Sequence, residues 1–355
     1  MKKVLVLMSG GIDSSVAAAL LKRDGFEVIG AFMKLTNLAR FKEGKERAKK
    51  IAKILKIPFL VFDLEKEFKM RIIDYFLKEY KAGNTPNPCV LCNKEIKFGL
   101  MLEKAMKFNV DFIATGHYVR KKEIRENFHK FAISRAKDKR KDQSYFLWML
   151  NQRQLKRILF PIGNYTREEV ENLARKFKLP VLKVKKSVEI CFIERTVNDF
   201  LKRYLKEKPG KIVDTKGKVL GEHSGLWFYT IGQRKGIGLS SGPWWVVGKD
   251  LKRSLLIVTK NEKDLLKKEL FCKNVNWVSG NEPKFPLRVK AKIRYKTDFA
   301  EATIRSAFSH SKKCANIKNK IYKVVFEKPQ RAITTGQSVV FYKGEEVLGG
   351  GIICG

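Results

Sequence analysis

The chain has 355 residues, of which 44% are hydrophobic, and a formal net charge of +39 from 75 basic and 36 acidic side chains. This composition excludes a disordered chain, and at about 150 residues per domain the length predicts two or three domains. No apolar run reaches the roughly 20 residues that a membrane-spanning helix needs, so we expect a soluble, cytoplasmic protein with no membrane partner. The positive charge is spread over the whole chain, which argues against a simple targeting segment. It fits either a general bias towards lysine on solvated faces or a polyanionic partner such as nucleic acid.

The first half alternates short apolar segments with amphipathic ones, which predicts an α/β fold with a parallel sheet covered by helices. The predicted strands are Val4–Met8, Val28–Met33, Phe59–Phe62 and Asp111–Thr115, and the predicted helices are Ser14–Asp24, Lys42–Lys56, Glu65–Lys81 and Asn93–Phe108. Ligands bind at the carboxyl ends of the strands in such sheets. We therefore expect a ligand near Ser9–Ser15, Met33 and Gly116.

The second half changes from a helical to a β pattern. Thr166 and Glu169 form a predicted capping box that opens a helix over Arg167–Lys178. After Pro209, short alternating runs punctuated by glycine predict an all-β domain, a small barrel. The predicted division is an α/β domain over residues 1–160, a central helical domain over 161–208 and a β-barrel domain over 209–355.

The stretch VLVLMSGGIDSSVAAALLK combines a strand, a glycine-rich turn and a helix. Gly10 and Gly11 allow backbone amides to approach a phosphate, the serines offer hydroxyl groups, and the helix points its positive end at the same place. Asp13 offers a carboxylate for the magnesium ion that accompanies a nucleoside triphosphate. By spacing alone, an ordinary tight turn in an α/β sheet stays open as the alternative.

Cys89 and Cys92 lie three positions apart in NTPNPCVLCNKEIKF. In a cytoplasmic protein this spacing is typical of redox or metal chemistry rather than of a secreted disulfide scaffold. Cys272, Cys314 and Cys354 have apolar or basic neighbours, and we expect them to be small, semi-buried hydrophobic side chains.

The stretch SGGIDSS resembles the pyrophosphatase loop of ATP-dependent adenylating enzymes. With NTPNPCVLCNKEIKF, ATGHYVR, KDQSYFL, PIGNYTREEV, EICFI, YTIGQRKGIG, AKIRY and TTGQSVVFY, the chain resembles the tRNA-specific 2-thiouridylase family essentially from end to end. The resemblance implies an ATP-binding α/β domain, a small helical central domain and a C-terminal β-barrel. It also implies a transferase that adenylates the 2-carbonyl of the wobble uridine in tRNA and replaces its oxygen with sulfur, releasing AMP and pyrophosphate.

The same resemblance implies roles for individual residues. ATP, with Mg²⁺, would be held by Met8, Ser9, Gly10, Gly11, Ile12, Asp13, Ser14, Ser15, Met33 and Gly116. The tRNA would be contacted by Asn87, Pro88, Cys89, His117, Lys141, Asp142, Gln143, Arg294, Tyr295 and Gln337, with the first three around the target base. Basic side chains suit phosphates, and tyrosine suits stacking on an unpaired base.

In the family pattern Cys92 is the nucleophile and Cys191 carries a persulfide, and a Cys92–Cys191 disulfide remains after the sulfur is transferred. The resemblance therefore also implies a sulfur donor, either a persulfide carrier or sulfide. This chemistry needs thiolates with lowered pKa values. We expect Lys94, Lys97 and a helix start at Cys92 or Asn93 to lower those pKa values.

The chain departs from the common family pattern at residue 89, where cysteine replaces aspartate. The leading interpretation is that Cys89, Cys92 and Cys191 bind a 4Fe–4S cluster and leave one iron free to carry sulfide. A persulfide relay needs only Cys92 and Cys191. A zinc site would want a fourth ligand, which the neighbouring sequence lacks, and in the simplest alternative Cys89 has no role.

Two other functions stay open. A different adenylating synthetase would use the loop on a small molecule and would release pyrophosphate without tRNA. A non-catalytic RNA-binding relative would retain the charge and lose the chemistry, although the intact SGGIDSS stretch argues against that. For the assembly, we expect a monomer or a weak dimer.

Overall fold

The computed structural model describes residues 1–124, 130–180, 190–307 and 320–354. No helix within those ranges is long and apolar enough to cross a membrane. Cys314 lies outside the described residues.

The four strands and four helices predicted for the first half are present in the predicted order, but the strands over residues 119–124, 130–135 and 158–159 were not predicted. The second half is mostly β. The strands are β1 Lys3–Leu7, β2 Glu27–Lys34, β3 Phe59–Asp63, β4 Phe112–Thr115, β5 Val119–Ile124, β6 Lys130–Arg135, β7 Ile158–Leu159, β8 Gly210–Asp214, β9 Val219–His223, β10 Trp245–Asp250, β11 Leu255–Thr259, β12 Leu266–Trp277, β13 Leu287–Lys292, β14 Ala300–Ala307, β15 Ile321–Arg331, β16 Ser338–Lys343 and β17 Glu346–Ile353. The α-helices are α1 Ile12–Arg23, α2 Ala39–Ile54, α3 Glu65–Phe68, α4 Asp74–Lys81, α5 Pro88–Cys92, α6 Met101–Met106, α7 Gln152–Lys156, α8 Arg167–Lys176 and α9 Val197–Lys202.

The N-terminal sheet is parallel and has the order β3-β2-β1-β4-β7. Strand β1 lies at its centre and is buried on both faces, because successive side chains of a strand point to opposite sides. Val4 and Val6 pack in the core that contains α1, whereas Leu5 and Leu7 pack with Phe68 and with other buried side chains of the opposite layer. The predicted parallel sheet is thereby confirmed.

Two of the predicted helices are continuous but change their hydrogen-bond pattern on the way. The segment Lys69–Ile73 joins α3 to α4 with π-helical geometry, and Asn93–Leu100 joins α5 to α6 in the same manner. The second of these helices therefore begins at Pro88, about one turn before the predicted start. Cys92 consequently lies inside a continuous helix and not at its first turn.

The interval predicted as a central helical domain contains two described helices, α8 and α9. Helix α8 begins with the predicted capping box, in which Thr166 Oγ1 accepts from the Glu169 backbone amide. Val170 and Ala174 of α8 pack in the same core as Val16 of α1. Helix α8 thus packs on the N-terminal domain, and the predicted domain limits stay predictions.

The β region contains two separate units rather than one barrel. Strands β10-β11-β8-β9 form a four-stranded sheet, and β12-β15-β14-β13-β16-β17 close into a six-stranded barrel through the pairing of β12 with β17. The β5–β6 hairpin of the N-terminal region extends this barrel sheet through the pairing of Val347 with Ile133. The α/β domain and the barrel are therefore joined by backbone hydrogen bonds.

Two of the three cysteines expected to be hydrophobic side chains, Cys272 and Cys354, lie in the described residues. Cys272 is fully buried in the barrel core, as predicted. Cys354 is disulfide-bonded, so the prediction for this residue was wrong.

Candidate active site

The phosphate loop runs from Met8 to Ser15 between β1 and α1. Ser14 Oγ accepts from the Ser9 backbone amide at 3.2 Å, and the hydroxyls of Ser14 and Ser15 donate to the Gly11 carbonyl at 3.1 and 2.7 Å. Gly11 is the N-cap of α1 and no side chain caps that end of the helix. The backbone amides of the first turn are therefore available to an anion, and phosphate binding by this loop stays a prediction.

Two glycines permit close packing around this loop. Gly10 has a φ of +75°, and a Cβ atom there would lie 2.4 Å from the carbonyl oxygen of Gly44 in α2. A Cβ atom on Gly116, directly after β4, would lie 2.5 Å from the backbone of Asp13. The strand end that carries Gly116 thus lies against the loop, and Met33 ends the neighbouring strand β2 at the same edge.

Asp13 is held by two residues that the sequence analysis did not assign. Its Oδ1 accepts from the Tyr118 hydroxyl and from Arg167 Nη1, both at 2.9 Å. Burial raises the pKa of Asp13, while the charge of Arg167 acts in the opposite direction. The PIGNYTREEV stretch, which contains Arg167, contributes to the family resemblance and predicts a helix start, but it gives Arg167 no role. The distance from Arg167 to Asp13 is set by the packing of α8 on α1.

Cys89 and Cys92 project from adjacent positions on one helix, with Cys92 buried and Cys89 half-buried. Burial raises the pKa of Cys92 to about 11 and also raises the pKa of Cys89, although the positive charge of Lys97 lowers both. The expectation of lowered thiol pKa values was therefore wrong. Lys97 is the nearby cation, but one charge does not offset the loss of hydration, and Cys92 is too far inside the helix to gain from its N-terminus.

Cys191 lies in the segment between α8 and α9 and is brought near the other two thiols. It is solvent-exposed on one side, yet the protein atoms around its thiol raise its pKa to about 12, and the charges of Cys92 and Cys89 act in the same direction. Lys97 and Arg40 lower this pKa. The structure thus assembles three thiols that the sequence separates by 99 positions between Cys92 and Cys191.

Arg40, at the start of α2, is a further residue of this site that the sequence analysis missed. Its Nη2 donates to the carbonyl oxygen of Ile193 at 2.9 Å. Its Nη1 is buried and makes no hydrogen bond within the described part of the chain. Arg40 therefore fixes the backbone two residues after Cys191 and keeps one donor free.

The predicted three-cysteine cluster requires the thiols to converge on one point. Within residues 1–124, 130–180, 190–307 and 320–354, no group of three or more His, Cys, Asp or Glu side chains is arranged to hold a metal ion. The three thiols provide the donor chemistry for iron and sulfide, but their arrangement in this structure does not fit the cluster.

His117 is buried between the rings of Phe98 and Phe160, at centroid distances of 5.9 and 6.2 Å. Its Nδ1 shares a 2.7 Å hydrogen bond with the hydroxyl of Thr115. Burial, followed by the charge of Lys97, holds the pKa of His117 well below its usual range. The imidazole is therefore neutral at physiological pH.

The three consecutive residues of the KDQ stretch use their polar atoms differently. The Asp142 carboxylate accepts from the Ala136 amide at 3.1 Å, and Gln143 Oε1 accepts from the Tyr118 amide at 2.9 Å. Lys141 is near enough to Asp13 for its charge to lower the pKa of that carboxyl. Asp142 and Gln143 thus stabilise the surroundings of Tyr118, and contact of this stretch with tRNA stays a prediction.

The remaining candidates for RNA contact cluster around the segment before α5. Asn87 hydrogen-bonds Tyr145, whose ring belongs to a cluster with Phe146 and Tyr295. Gln337 Nε2 donates to the carbonyl oxygen of Thr85 at 2.7 Å. Pro88 is buried at the first turn of α5. The barrel therefore supports the segment on which Asn87 and Cys89 lie.

Arg294, predicted to contact tRNA, is largely occupied within the protein. Its Nη2 donates to the carbonyl oxygens of Ile231 and Ala332 at 3.1 and 3.0 Å, and also to the Thr334 hydroxyl. Its Nε is buried without a hydrogen bond in the described residues. Arg294 connects the four-stranded sheet to the barrel.

A cavity of about 480 Å³ adjoins Asn87. It lies between α5 and the barrel, and its lining includes Val90, Lys94, Asn274 and Ser338. The lining contains both polar and apolar side chains, which suits a flat, hydrogen-bonding molecule such as a nucleobase.

Together these features define the class of protein: an α/β nucleotide-binding enzyme with paired thiols in the same domain. Three family profiles match consecutive parts of the chain, described as the tRNA methyl transferase HUP domain over residues 2–195, the tRNA methyl transferase PRC-barrel domain over 198–260 and the aminomethyltransferase beta-barrel domain over 267–353. The chain is 46% identical to the tRNA-specific 2-thiouridylase MnmA 2 of Thermoanaerobacter sp. (strain X514) over 366 residues, covering 99% of this chain and 97% of the relative. The chain therefore belongs to the tRNA-specific 2-thiouridylase family.

Other relatives agree with this assignment. The tRNA-specific 2-thiouridylase MnmA of Clostridium perfringens (strain 13 / Type A) is 43% identical over 369 residues, covering 99% of this chain and 98% of the relative. Among solved structures, the U34-tRNA thiolase NcsA from Methanococcus maripaludis with its [4Fe-4S] cluster is 20% identical, with a TM-score of 0.35 over 51% of this chain and 58% of that chain. A likeness of that size transfers no residue role.

Proposed function

We propose that this chain is an ATP-dependent tRNA 2-thiouridylase that acts through Cys92 and Cys191. The observation that carries the proposal is the joint presence of an anion-binding loop and neighbouring thiols in one chain of this family. The substrate is tRNA, and the net charge of +39 is suited to its phosphates.

The first step activates the uridine. The 2-carbonyl oxygen attacks the α-phosphate of ATP, a P–O bond to pyrophosphate breaks, and the carbon at position 2 becomes attached to AMP through oxygen. The loop amides and the positive end of α1 hold the phosphates and stabilise the developing charge. The single carboxylate of Asp13 suits Mg²⁺, which usually takes one or two protein carboxylates and would neutralise phosphate oxygens.

The second step transfers sulfur from a persulfide on Cys191. The terminal sulfur attacks carbon 2 and AMP leaves with the oxygen, so the uridine becomes linked to Cys191 through two sulfur atoms. The thiolate of Cys92 then attacks Cys191 Sγ, which releases 2-thiouridine and forms a Cys92–Cys191 disulfide. A dithiol reductant supplies two electrons and two protons to restore the thiols, and a persulfide donor recharges Cys191.

The environment of Cys92 and Cys191 favours the protonated form of both thiols. With pKa values of about 11 and 12, Cys92 and Cys191 are almost entirely protonated near pH 7. A protonated thiol is a poor nucleophile, so Cys92 reacts through the small fraction that is thiolate. Lys97 and Arg40 are the cations positioned to stabilise the anionic sulfur.

The test is formation of 2-thiouridine in unmodified tRNA by the purified chain with ATP, Mg²⁺, a persulfide donor and a dithiol. We expect Cys92→Ser to abolish thiolation but to retain tRNA-dependent exchange of pyrophosphate into ATP. Full thiolation by Cys92→Ser would refute the sulfur-transfer mechanism. Pyrophosphate exchange that needs no tRNA would identify a synthetase for a small molecule instead.

The role of Cys89 is tested separately, because a relay needs only the other two thiols. We expect anaerobically purified protein to be colourless and Cys89→Ser to retain most of its activity with a persulfide donor. If the chain instead carries about four irons with equivalent acid-labile sulfide, and Cys89→Ser loses them, then the thiols rearrange to hold the cluster.

A further inference from the structure

The stretch YTIGQRKGIG has no role in the reaction described above. Most of this stretch lies in the loop before β10, which comprises residues 230–244 and is called the 230–244 loop below. The start of this loop lies beside the active site, because the Thr230 hydroxyl shares a 3.3 Å hydrogen bond with Thr85 Oγ1, two residues before Asn87. Arg294 Nη2 holds the next carbonyl, that of Ile231, at 3.1 Å.

The loop is ordered by its own side chains. Gln233 Oε1 accepts from the Thr230 amide, and Gln233 Nε2 donates to the Lys235 carbonyl, both at 3.0 Å. Ile237 is buried in the main core. A loop fixed in this way loses little conformational entropy when a ligand binds.

The backbone of the loop is open on its outer side. Gly236 and Gly238 have φ values of +73° and +80°, a region that favours glycine. A Cβ atom at Gly238 would meet nothing within 4 Å, and the position is exposed. Packing therefore does not require a glycine at position 238, but the positive φ does. Without a side chain, this surface lets a ligand reach the main chain.

The side chains of the loop are cationic and aromatic. Arg234 and Lys235 are exposed, and neither forms an ion pair with a carboxylate within the described ranges. Lys260 Nζ lies 4.9 Å from the centre of the Trp244 ring. A cavity of about 400 Å³ is lined by Arg234, Gly236, Ile237, Gly238, Leu239, Gly242, Pro243 and Trp244. Cations without a carboxylate partner, beside an aromatic ring and accessible backbone, are the groups that bind single-stranded RNA.

We infer that the 230–244 loop is a docking surface for RNA, which binds the phosphates of nucleotides next to the target uridine. The inference rests on the proposed function, in which the target base lies near Asn87. The ordered start of the loop connects that base site to Arg234 and Lys235, so a chain of nucleotides leaving the base site meets these cations. The Trp244 ring supplies an apolar wall for an unstacked base or a ribose.

The experiment measures the affinity of the full chain for unmodified tRNA, without ATP, as a function of salt concentration. We expect the double variant Arg234→Gln/Lys235→Gln to weaken binding about tenfold near 0.1 M salt. We also expect the slope of log K against log salt to become shallower by about 0.7 for each phosphate of single-stranded RNA that the variant no longer neutralises. The matched control is Lys216→Gln/Lys218→Gln, which removes the same charge from the exposed turn between β8 and β9 of the same sheet.

A loss of affinity no larger than that of the control would overturn the inference. The same measurement with an isolated anticodon stem-loop locates the RNA on the protein: a loss seen with full-length tRNA but not with the stem-loop would also overturn it. We expect inorganic pyrophosphate to compete with tRNA equally well in the wild type and in the double variant. If pyrophosphate no longer competes in the double variant, the loop is a site for small anions and the inference is overturned.

Failure of this inference and failure of the proposed function are distinguishable. Binding is measured without ATP or a sulfur donor, so it does not depend on adenylation or on the cysteines. If the wild type forms 2-thiouridine while the loop variant binds like the control, the inference fails and the function stands. If the wild type forms no 2-thiouridine and the loop variant still shows the shallower salt dependence, the function fails and the RNA surface stands.

Discussion

The phosphate loop and the thiol site lie in one domain but are built in opposite ways. The loop is a run of eight consecutive residues from Met8 to Ser15, and its hydroxyls and amides bond to each other. The thiol site joins helix residues Cys89 and Cys92 to Cys191, with cations from two further positions. The first site owes its chemistry to local backbone geometry, whereas the second owes it to packing.

The difference extends to the charges. In the loop, backbone amides and a helix end act on an anion without any titration. In the thiol site, burial raises the pKa of the reacting groups and Lys97 opposes it. The phosphate loop should therefore be sensitive only to changes that displace its backbone or remove a partner of Asp13, whereas the thiol site should be sensitive to the charges around it. The following predictions, from the largest expected effect to the smallest, test that contrast.

Gly116→Ala should disable the phosphate loop from outside it. The added Cβ would lie 2.5 Å from the Asp13 backbone, which must move. Because misplacement of a site by about 1 Å costs on the order of 100-fold, we expect tRNA-dependent pyrophosphate exchange to fall by that factor. The rate of Cys92 alkylation should not change. If Gly116→Ala keeps the pyrophosphate exchange of the wild type, the phosphate loop does not depend on β4. The difference between the phosphate loop and the thiol site would then be larger than described above.

Arg167→Gln should weaken ATP use about 30-fold, because it removes a charged hydrogen bond to partly buried Asp13. The measurement is the KM for ATP in pyrophosphate exchange. Arg175→Gln on the same helix is the control, since the side chain of Arg175 bonds only to the exposed Asn172 in the described residues. Equal KM values for the two variants would mean that Asp13 needs no partner.

Lys97→Met should slow alkylation of Cys92 several-fold at a given pH, because loss of the cation raises the thiol pKa further. In the wild type the alkylation rate should rise about tenfold per pH unit up to the pKa of about 11, since only the thiolate reacts. The variant should follow the same curve displaced to higher pH. Lys104→Met in α6 is the control, and an undisplaced curve in Lys97→Met would contradict the role of Lys97.

Arg40→Gln should reduce the alkylation rate of Cys191 about threefold, the size expected for a partly exposed charge. Arg40→Lys should restore the charge but not the hydrogen bond to Ile193, so a partial recovery would separate the electrostatic role from the positioning role. Lys42→Gln removes an exposed charge from the same helix and should leave the rate unchanged. Identical rates for Arg40→Gln and Lys42→Gln would exclude Arg40 from the site.

The order of strands and helices in the first half was predictable because each segment carries its own period of apolar residues. Strands β5, β6 and β7 were missed, and β7 has only two residues, which carry no period. The π-helical segments were missed because they have the same apolar pattern as an α-helix. The second sheet and the barrel were predicted as one domain, since alternation identifies strands but not their partners.

The candidate site divides in the same way. The sequence by itself determined the phosphate loop, the capping box of α8 and the cysteines, because each depends on residue types at short spacing. Only the tertiary structure decided that Arg167 and Tyr118 hold Asp13, that Arg40 reaches Ile193, and that the thiols are weaker acids than expected. The physical reason is that hydration and distance between remote segments depend on how the layers pack, and no local pattern of residues encodes that.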